Sequence, residues 1–310
     1  MANSKKNAFL RGDASVEIGY GHIYRLLSIA NIIKTEYEIY FVSLGLPEEL
    51  MNQIQLNGYK INLIENEDEW IEKLTFEDTA IVDHYSINIK HHNQIKAKNA
   101  YLICIDDLHD KEFNSDVIIN HAPGIRESDY KVIGKTKFAL GLEYALLRAP
   151  FYNKSVLQRQ KNNIFVCIGG TDLHNYSKSI ITKLLTNDRL IVNLITNKPD
   201  LFEKNERLNI YTNLESNELR DLLDLCEFAV VSSSTIAIEA LYRDAYIIFG
   251  QTADNQKYLH EGLCDYANTF SIGFFDEKSP DIILSAIQNK TTSSIKKILP
   301  TENKIYSLLK

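Results

Sequence analysis

Cysteine is scarce in this chain: four in 310 residues, at positions 104, 167, 226 and 264. No two of them form a Cys-x-x-Cys pair, so their spacing supports neither a zinc site nor a disulfide framework. Three lie in apolar runs such as Leu102-Ile103-Cys104-Ile105 and Val166-Cys167-Ile168, and they read as small core residues. A basic excess is also missing. The net charge of −7 argues against a nucleic-acid partner, which would require a basic face. No block of like charge is long enough to be an interaction tail. No uncharged apolar run approaches the roughly 18 residues of a membrane span, and residues 1–7 carry lysines but no signal-peptide core. The expectation is a cytoplasmic protein that does not span a membrane. Neither a Walker loop nor Gly-x-Gly-x-x-Gly is present.

What is there is an ordinary globular composition, 45% hydrophobic and 24% charged. The length suits two domains of about 150 residues. Short β-branched or aromatic runs alternate with helical patterns. The first half has strands at Asn7–Asp13, Tyr37–Ser43, Lys60–Ile64, Thr79–Asp83, Tyr101–Asp106 and Asp116–Asn120. A helix over His22–Lys34 places Ile23, Leu26, Leu27, Ala30 and Ile33 on one apolar stripe. The pattern breaks over 141–160, a stretch that reads as a linker plus a helix, and restarts with a strand at Asn163–Ile168. Strands alternating with helices imply crossovers and a parallel sheet. The fold class is therefore α/β, with two Rossmann-like domains facing a cleft. They are expected over 1–150 and 151–290, with a helix in 291–310 returning to the first domain.

Four loops follow strands and carry unusual chemistry. Ile18-Gly19-Tyr20-Gly21-His22 puts a histidine at a helix mouth, near Arg11 and Asp13; it reads either as a helix start capped by the histidine or as a polar site. Asp83-His84-Tyr85 offers a carboxylate that could cap the next helix and a tyrosine that could be an ordinary aromatic. Nearby Asp106, Asp107 and His109 lack metal-ligand spacing, so no metal is expected. Gly169-Gly170-Thr171-Asp172 suits either a tight turn or a backbone cradle for phosphate. Ser232-Ser233-Ser234-Thr235 opens a helix whose N–H groups and hydroxyls suit an anion. Glu239, one turn beyond Thr235, is placed to accept from ribose hydroxyls. Read blandly, this last loop is a serine cap with a surface glutamate.

Together with Asp254-Asn255-Gln256, these loops occur in the order found in the UDP-2,4-diacetamido-2,4,6-trideoxy-β-L-altropyranose hydrolases of pseudaminic acid biosynthesis, and from about Ala8 to Gly273 the chain resembles that family. It departs from it at the serine loop, where members often show glycine and tryptophan. The resemblance implies a glycosyltransferase-B fold with UDP held by the C-terminal domain. It also implies a proton acceptor at His22, a site tyrosine at Tyr85 and a site asparagine at Asn255. Similarity to related transferases points to Arg148 as a cation for the donor phosphates.

The implied reaction is metal-independent and uses no cofactor. Water attacks the anomeric carbon with inversion and expels UDP; His22, kept neutral by its helix start, is the base. Asp13, Gly21, Arg148, Gly170, Thr171, Ser233, Ser234, Thr235, Glu239 and Asn255 are the expected substrate-binding residues. The alternatives are a UDP-sugar-dependent glycosyltransferase, in which His22 deprotonates an acceptor hydroxyl, and a non-catalytic module that only binds a nucleotide sugar.

Overall fold

The computed structural model describes residues 5–15, 18–153, 157–169, 172, 174–212, 214–290 and 304–309. The chain divides into two compact units, Met1–Leu146 with Glu302–Lys310, and Leu147–Thr301.

In the first unit the strands are β1 (Lys6–Arg11), β2 (Tyr37–Ser43), β3 (Lys60–Leu63), β4 (Thr79–Val82) and β5 (Tyr101–Ile105). After these come β6 (Glu112–Phe113), β7 (Val117–Asn120), β8 (Lys131–Val132) and β9 (Lys137–Leu140). Helices α1 (Gly21–Ile33), α2 (Glu48–Leu56), α3 (Asp68–Ile71) and α4 (Ile89–Ala97) connect the early strands. The main sheet runs β3-β2-β1-β4-β5-β7-β9, parallel throughout, and β6 pairs with β8 apart from it. Every residue of β4 and β7 is buried, as a strand covered on both faces requires. Val42, Trp70, Ile71, Ala80, Leu102 and Ile118 belong to one core cluster. Each large apolar side chain fully buried there contributes roughly 1.5–3 kcal/mol.

The second unit repeats the plan with β10 (Gln160–Cys167), α5 (Tyr176–Leu184), β11 (Ile191–Ile195), β12 (Leu208–Tyr211), α6 (Ser216–Leu225) and β13 (Cys226–Ser232). It continues with α7 (Thr235–Tyr242), β14 (Tyr246–Gln251), α8 (Lys257–Leu263), β15 (Thr269–Phe274) and α9 (Ser279–Asn289). Its sheet order is β12-β11-β10-β13-β14-β15, again all parallel. Counted within each unit, both sheets begin 3-2-1-4-5, the doubly wound order.

The structure differs from the sequence reading in several places. Both edge strands β9 and β15 are additional. Each is only half-buried in pattern, so neither shows the continuous apolar run by which a central strand is recognised. The stretch read as linker plus helix forms two 3₁₀ turns, Leu142–Tyr144 and Ala149–Tyr152. The expected amphipathic α1 is buried nearly all round, because a last helix, α10 (Ile305–Leu309), packs against it. The rest of the expected final helix, 295–303, lies outside the described residues. Among those described, Cys104 and Cys226 are buried, with burial pushing each thiol up to about 12. No described helix is long and apolar enough to cross a membrane.

Candidate active site

In a sheet ordered 3-2-1-4-5 the chain leaves the first and fourth strands in opposite directions, which opens a crevice at their carboxyl ends. In the first unit that crevice lies between β1 and β4. The two strands are locked together as they end, Asp83 N–H donating to the Arg11 carbonyl at 2.9 Å. Gly12 lets α1 come close: a Cβ there would stand 2.6 Å from Leu26 Cδ1 and 3.3 Å from the Asp83 carbonyl. Gly19 adopts the left-handed region, φ +82°, where the loop turns into α1.

The helix start is not capped by the histidine. Tyr20 holds the N-cap position, with no side-chain cap bond. His22 is buried, and its Nδ1 lies 2.6 Å from Asp83 Oδ1. Arg25 Nη2 also stands 3.0 Å from this nitrogen, but the nearer Asp83 carboxylate can only accept, which assigns the proton to Nδ1 and leaves Nε2 as the nitrogen open to act as a base. Its electrostatic partner is thus the Asp83 carboxylate, where the sequence pointed to the helix start. Nor does Asp83 cap the next helix; Asn88 caps α4.

Asp83 takes two further bonds from Arg25, Nε to Oδ2 and Nη2 to Oδ1, each 2.7 Å. Burial alone would raise the Asp83 carboxyl, but the Arg25 charge and then His22 outweigh it. They hold it well below the usual carboxylate range. Arg25 Nη1 also reaches Asp107 Oδ2 at 3.4 Å, and Tyr85 Oη donates to that same oxygen at 3.0 Å. The Tyr85 ring stands edge-on to His22 with centroids 4.8 Å apart. His121 is buried beside this cluster; burial first, and then the Arg25 charge, push it down to about 3, so it is neutral at physiological pH.

Behind this group lies a second one. Arg11, fully buried, spans Asp13 and Glu67. Asp13 accepts from Arg11, Ser43 Oγ, the Leu44 N–H and His84 Nε2. Expected on the substrate, Asp13 is instead occupied by protein donors and holds the β1, β2 and β4 loop ends together. Burial raises its carboxyl and the bonds from His84 and Arg11 overcome that, leaving it far below the ordinary range. Gly21 begins α1 with open space where a Cβ would stand. Among the described residues, no group of three or more His, Cys, Asp or Glu is arranged to hold a metal ion.

The second unit ends its own first and fourth strands differently. Gly169, φ +112°, turns the chain after β10, and Asp172 accepts from the Tyr176 and Ser177 N–H groups that open α5. Gly170 and Thr171 lie outside the described residues. After β13, Ser233 is buried, its hydroxyl bonded to His260 Nδ1 at 2.8 Å, and His260 Nε2 meets Ser271 Oγ at 2.9 Å. Ser234 and Thr235 are half-buried at the start of α7, where Ser234, the N-cap, makes no side-chain cap bond. Among the described residues this leaves the helix N–H groups without a side-chain cap from Ser234. Glu239 is fully buried and paired with Arg148, whose Nε donates to Oε1 at 2.8 Å and whose Nη2 donates to Oε2. The glutamate expected on a ribose is therefore engaged by the arginine expected on phosphates. Asn255 is exposed in the short turn Asp254–Gln256.

The structure thus gathers His22 and Tyr85 with Asp13 and Gly21 in the first unit. In the second it gathers Ser233, Ser234 and Thr235, and beside Glu239 it sets Arg148. Sequence reasoning missed Arg25, Asp107 and His121 as site members and gave Asp83 no role there. One signal was available: Arg25 sits three residues after His22 on the same helix face.

No family model matches the chain. It is 28% identical over 240 residues to the UDP-2,4-diacetamido-2,4,6-trideoxy-β-L-altropyranose hydrolase of Campylobacter jejuni, a match covering 74% of this chain and 86% of that protein. It is 26% identical over 256 residues to an uncharacterised protein of Methanocaldococcus jannaschii, of whose length the match covers 52%. Among solved structures, MurG of Acinetobacter baumannii superposes with a TM-score of 0.56 at 10% identity, over 92% of this chain and 90% of that one. The spinosyn rhamnosyltransferase SpnG bound to thymidine diphosphate gives 0.59 at 9% identity, over 91% of each chain. At such identities the likeness is one of fold. The chain resembles the altropyranose hydrolase in sequence, and its two Rossmann-like units have the fold of the glycosyltransferase-B class.

Proposed function

We propose that this chain is an enzyme acting on nucleotide sugars. In this reading it hydrolyses UDP-2,4-diacetamido-2,4,6-trideoxy-β-L-altropyranose to UDP and the free sugar, a step of pseudaminic acid biosynthesis. The observation that carries the reading is the buried His22–Asp83 pair, 2.6 Å apart and edge-on to Tyr85. Its weight comes from the 28% identity to a hydrolase of that name.

In this mechanism Nε2 of His22 takes a proton from water as the water oxygen bonds to the anomeric carbon. The bond from that carbon to the phosphate oxygen breaks, UDP leaves with the electron pair, and the configuration inverts. A positioned base of this kind contributes on the order of 10²–10⁴-fold. In the second unit, the start of α7 at Ser234 and Thr235 is assigned to the diphosphate. Arg148, anchored on Glu239, supplies positive charge, so the leaving group is stabilised by preorganised dipoles without a metal in the scheme. Asn255 is assigned to the sugar.

The test is UDP release from this sugar nucleotide in water, with no acceptor added and with the anomer followed by NMR. Prompt release with inversion, abolished in His22→Asn, is the expected result. A sugar nucleotide that stays intact until an acceptor alcohol is supplied would make the protein a transferase.

A further inference from the structure

The His22–Asp83 pair is not isolated. Five side chains form a closed circuit: His22 bonds to Asp83, Asp83 to Arg25, Arg25 to Asp107, Asp107 to Tyr85, and Tyr85 packs edge-on against His22. They come from α1, the loop after β4 and the loop after β5. The circuit is pinned from outside by Lys111, whose Nζ donates to the Ile87 carbonyl at 2.9 Å and to the His84 carbonyl at 3.4 Å. Resting on the reading of His22 as base, we infer that Arg25 is a positioning residue that holds both the base dyad and Tyr85, and that Asp107 turns Tyr85 into a hydrogen-bond acceptor toward the substrate.

The reason lies in hydrogen-bond accounting. The Nδ1 proton of His22 goes to Asp83, so toward a ligand the ring offers only the Nε2 lone pair. The hydroxyl proton of Tyr85 goes to Asp107, so toward a ligand the phenol offers only oxygen lone pairs. Each dyad consumes its own proton and presents an acceptor. Water carries two O–H groups and can satisfy both acceptors; an alcohol carries one and leaves the second acceptor unmet. A nucleophile that meets both acceptors is therefore water more readily than an alcohol.

Arg25 can hold both halves because a guanidinium presents its donors in a rigid plane. Nε and Nη2 face the two oxygens of Asp83 while Nη1 is left for Asp107. An ammonium at this position would not span both carboxylates. Losing Arg25 leaves Asp83 a buried carboxylate with one partner, which favours its protonation and loosens its hold on Nδ1. Asp107 has a further feature. Its Oδ1 is buried without a hydrogen-bond partner among the described residues, an arrangement that costs stability in the free protein and that a donor on a bound ligand would relieve.

The experiment uses the full-length protein labelled with ¹⁵N at histidine, together with steady-state UDP release. Arg25→Lys is expected to change His22 from a single Nδ1–H tautomer to a mixture and to lower kcat about 10- to 100-fold, with KM within a few-fold. Asp107→Asn and Tyr85→Phe are expected to lower kcat each, and the double variant to fall no further than Tyr85→Phe alone. An unchanged His22 spectrum in Arg25→Lys, or losses that multiply in the double variant, would overturn the inference. Should Arg25→Lys fail to fold, the Asp107 and Tyr85 pair decides the matter. If the wild-type protein releases no UDP, the hydrolase reading fails, while the tautomer measurement still decides the role of Arg25.

Discussion

The two units carry the same doubly wound sheet but fill the crevice after their first and fourth strands with opposite chemistry. In the first unit the space is lined by ionisable side chains: Asp83, His22, Arg25, Asp107 and Tyr85, with Asp13 and Arg11 behind them. In the second unit it is lined by glycine, serine and threonine around the start of α7, and Arg148, held on Glu239, is the cation nearby. Fixed dipoles of backbone N–H and hydroxyl groups suit the recognition of a diphosphate, whose charge does not change on binding. Titratable groups in a dry, bonded array suit proton transfer. The fold supplies the same crevice twice, and the residues at its rim divide the work.

The largest test of that division is His22→Asn. It is expected to cut kcat by 10²–10⁴-fold with KM little changed, because it removes a group needed only in the transition state. A comparable loss of kcat from a serine change in the second unit would erase the contrast. There, Ser234→Ala is expected to raise KM for the sugar nucleotide several-fold at nearly unchanged kcat. Ser233→Ala, whose hydroxyl is already bonded to His260, should instead cost about 1 kcal/mol of stability, read by urea denaturation.

The ionisable lining also predicts a pH response. His121 has a folded pKa of about 3, against roughly 6.5 for an unperturbed histidine. Between those values the unfolded chain binds a proton that the folded chain refuses, so stability is full above about pH 6.5 and falls as the pH drops toward 3. His121→Gln should flatten that slope in denaturation midpoints measured from pH 7 to 4. The slope will not vanish, because His92, pushed down to about 4 by burial, titrates in the same window. Asp83, depressed below the usual carboxylate range, adds stability that is present above its unfolded value of about 3.9 and is lost below it.

The last pair of effects concerns two glycines at α1, one packed against it and one at its start. Gly12→Ala should destabilise by roughly 1–3 kcal/mol, since its Cβ would meet Leu26 at 2.6 Å and the Asp83 carbonyl at 3.3 Å. Gly21→Ala meets nothing within 4 Å and should gain up to about 1 kcal/mol of helix propensity. A rise in KM in Gly21→Ala would show that a ligand needs the bare backbone there.

Most of the architecture was legible in the chain. Runs such as Ala80-Ile81-Val82 and Val117-Ile118-Ile119, apolar throughout, announce central strands, and α1 carries its stripe at helical spacing. The edge strands β9 and β15 were not legible, because half-exposed segments mix polar residues into the pattern. The candidate site was legible in part. His22 and Tyr85 stood out at loop positions after strands. Asp83 was visible but ambiguous, since a carboxylate before a helix is more simply a cap, and Asn88 proved to hold that place. Arg25 hides inside an apolar helix face, where only its burial against two carboxylates shows what it does.

By itself, the sequence determined the alternation of strand and helix, hence two parallel sheets, and the positions of the loops that end them. Those properties follow from periodicity and turn chemistry, which act over a few residues at a time. Only the tertiary structure decided which polar side chains meet. Asp83 is 61 residues from His22, and Asp107 is 82 from Arg25. Whether such groups bond depends on strand order and on how closely α1 can approach past Gly12. Local patterning carries no record of either.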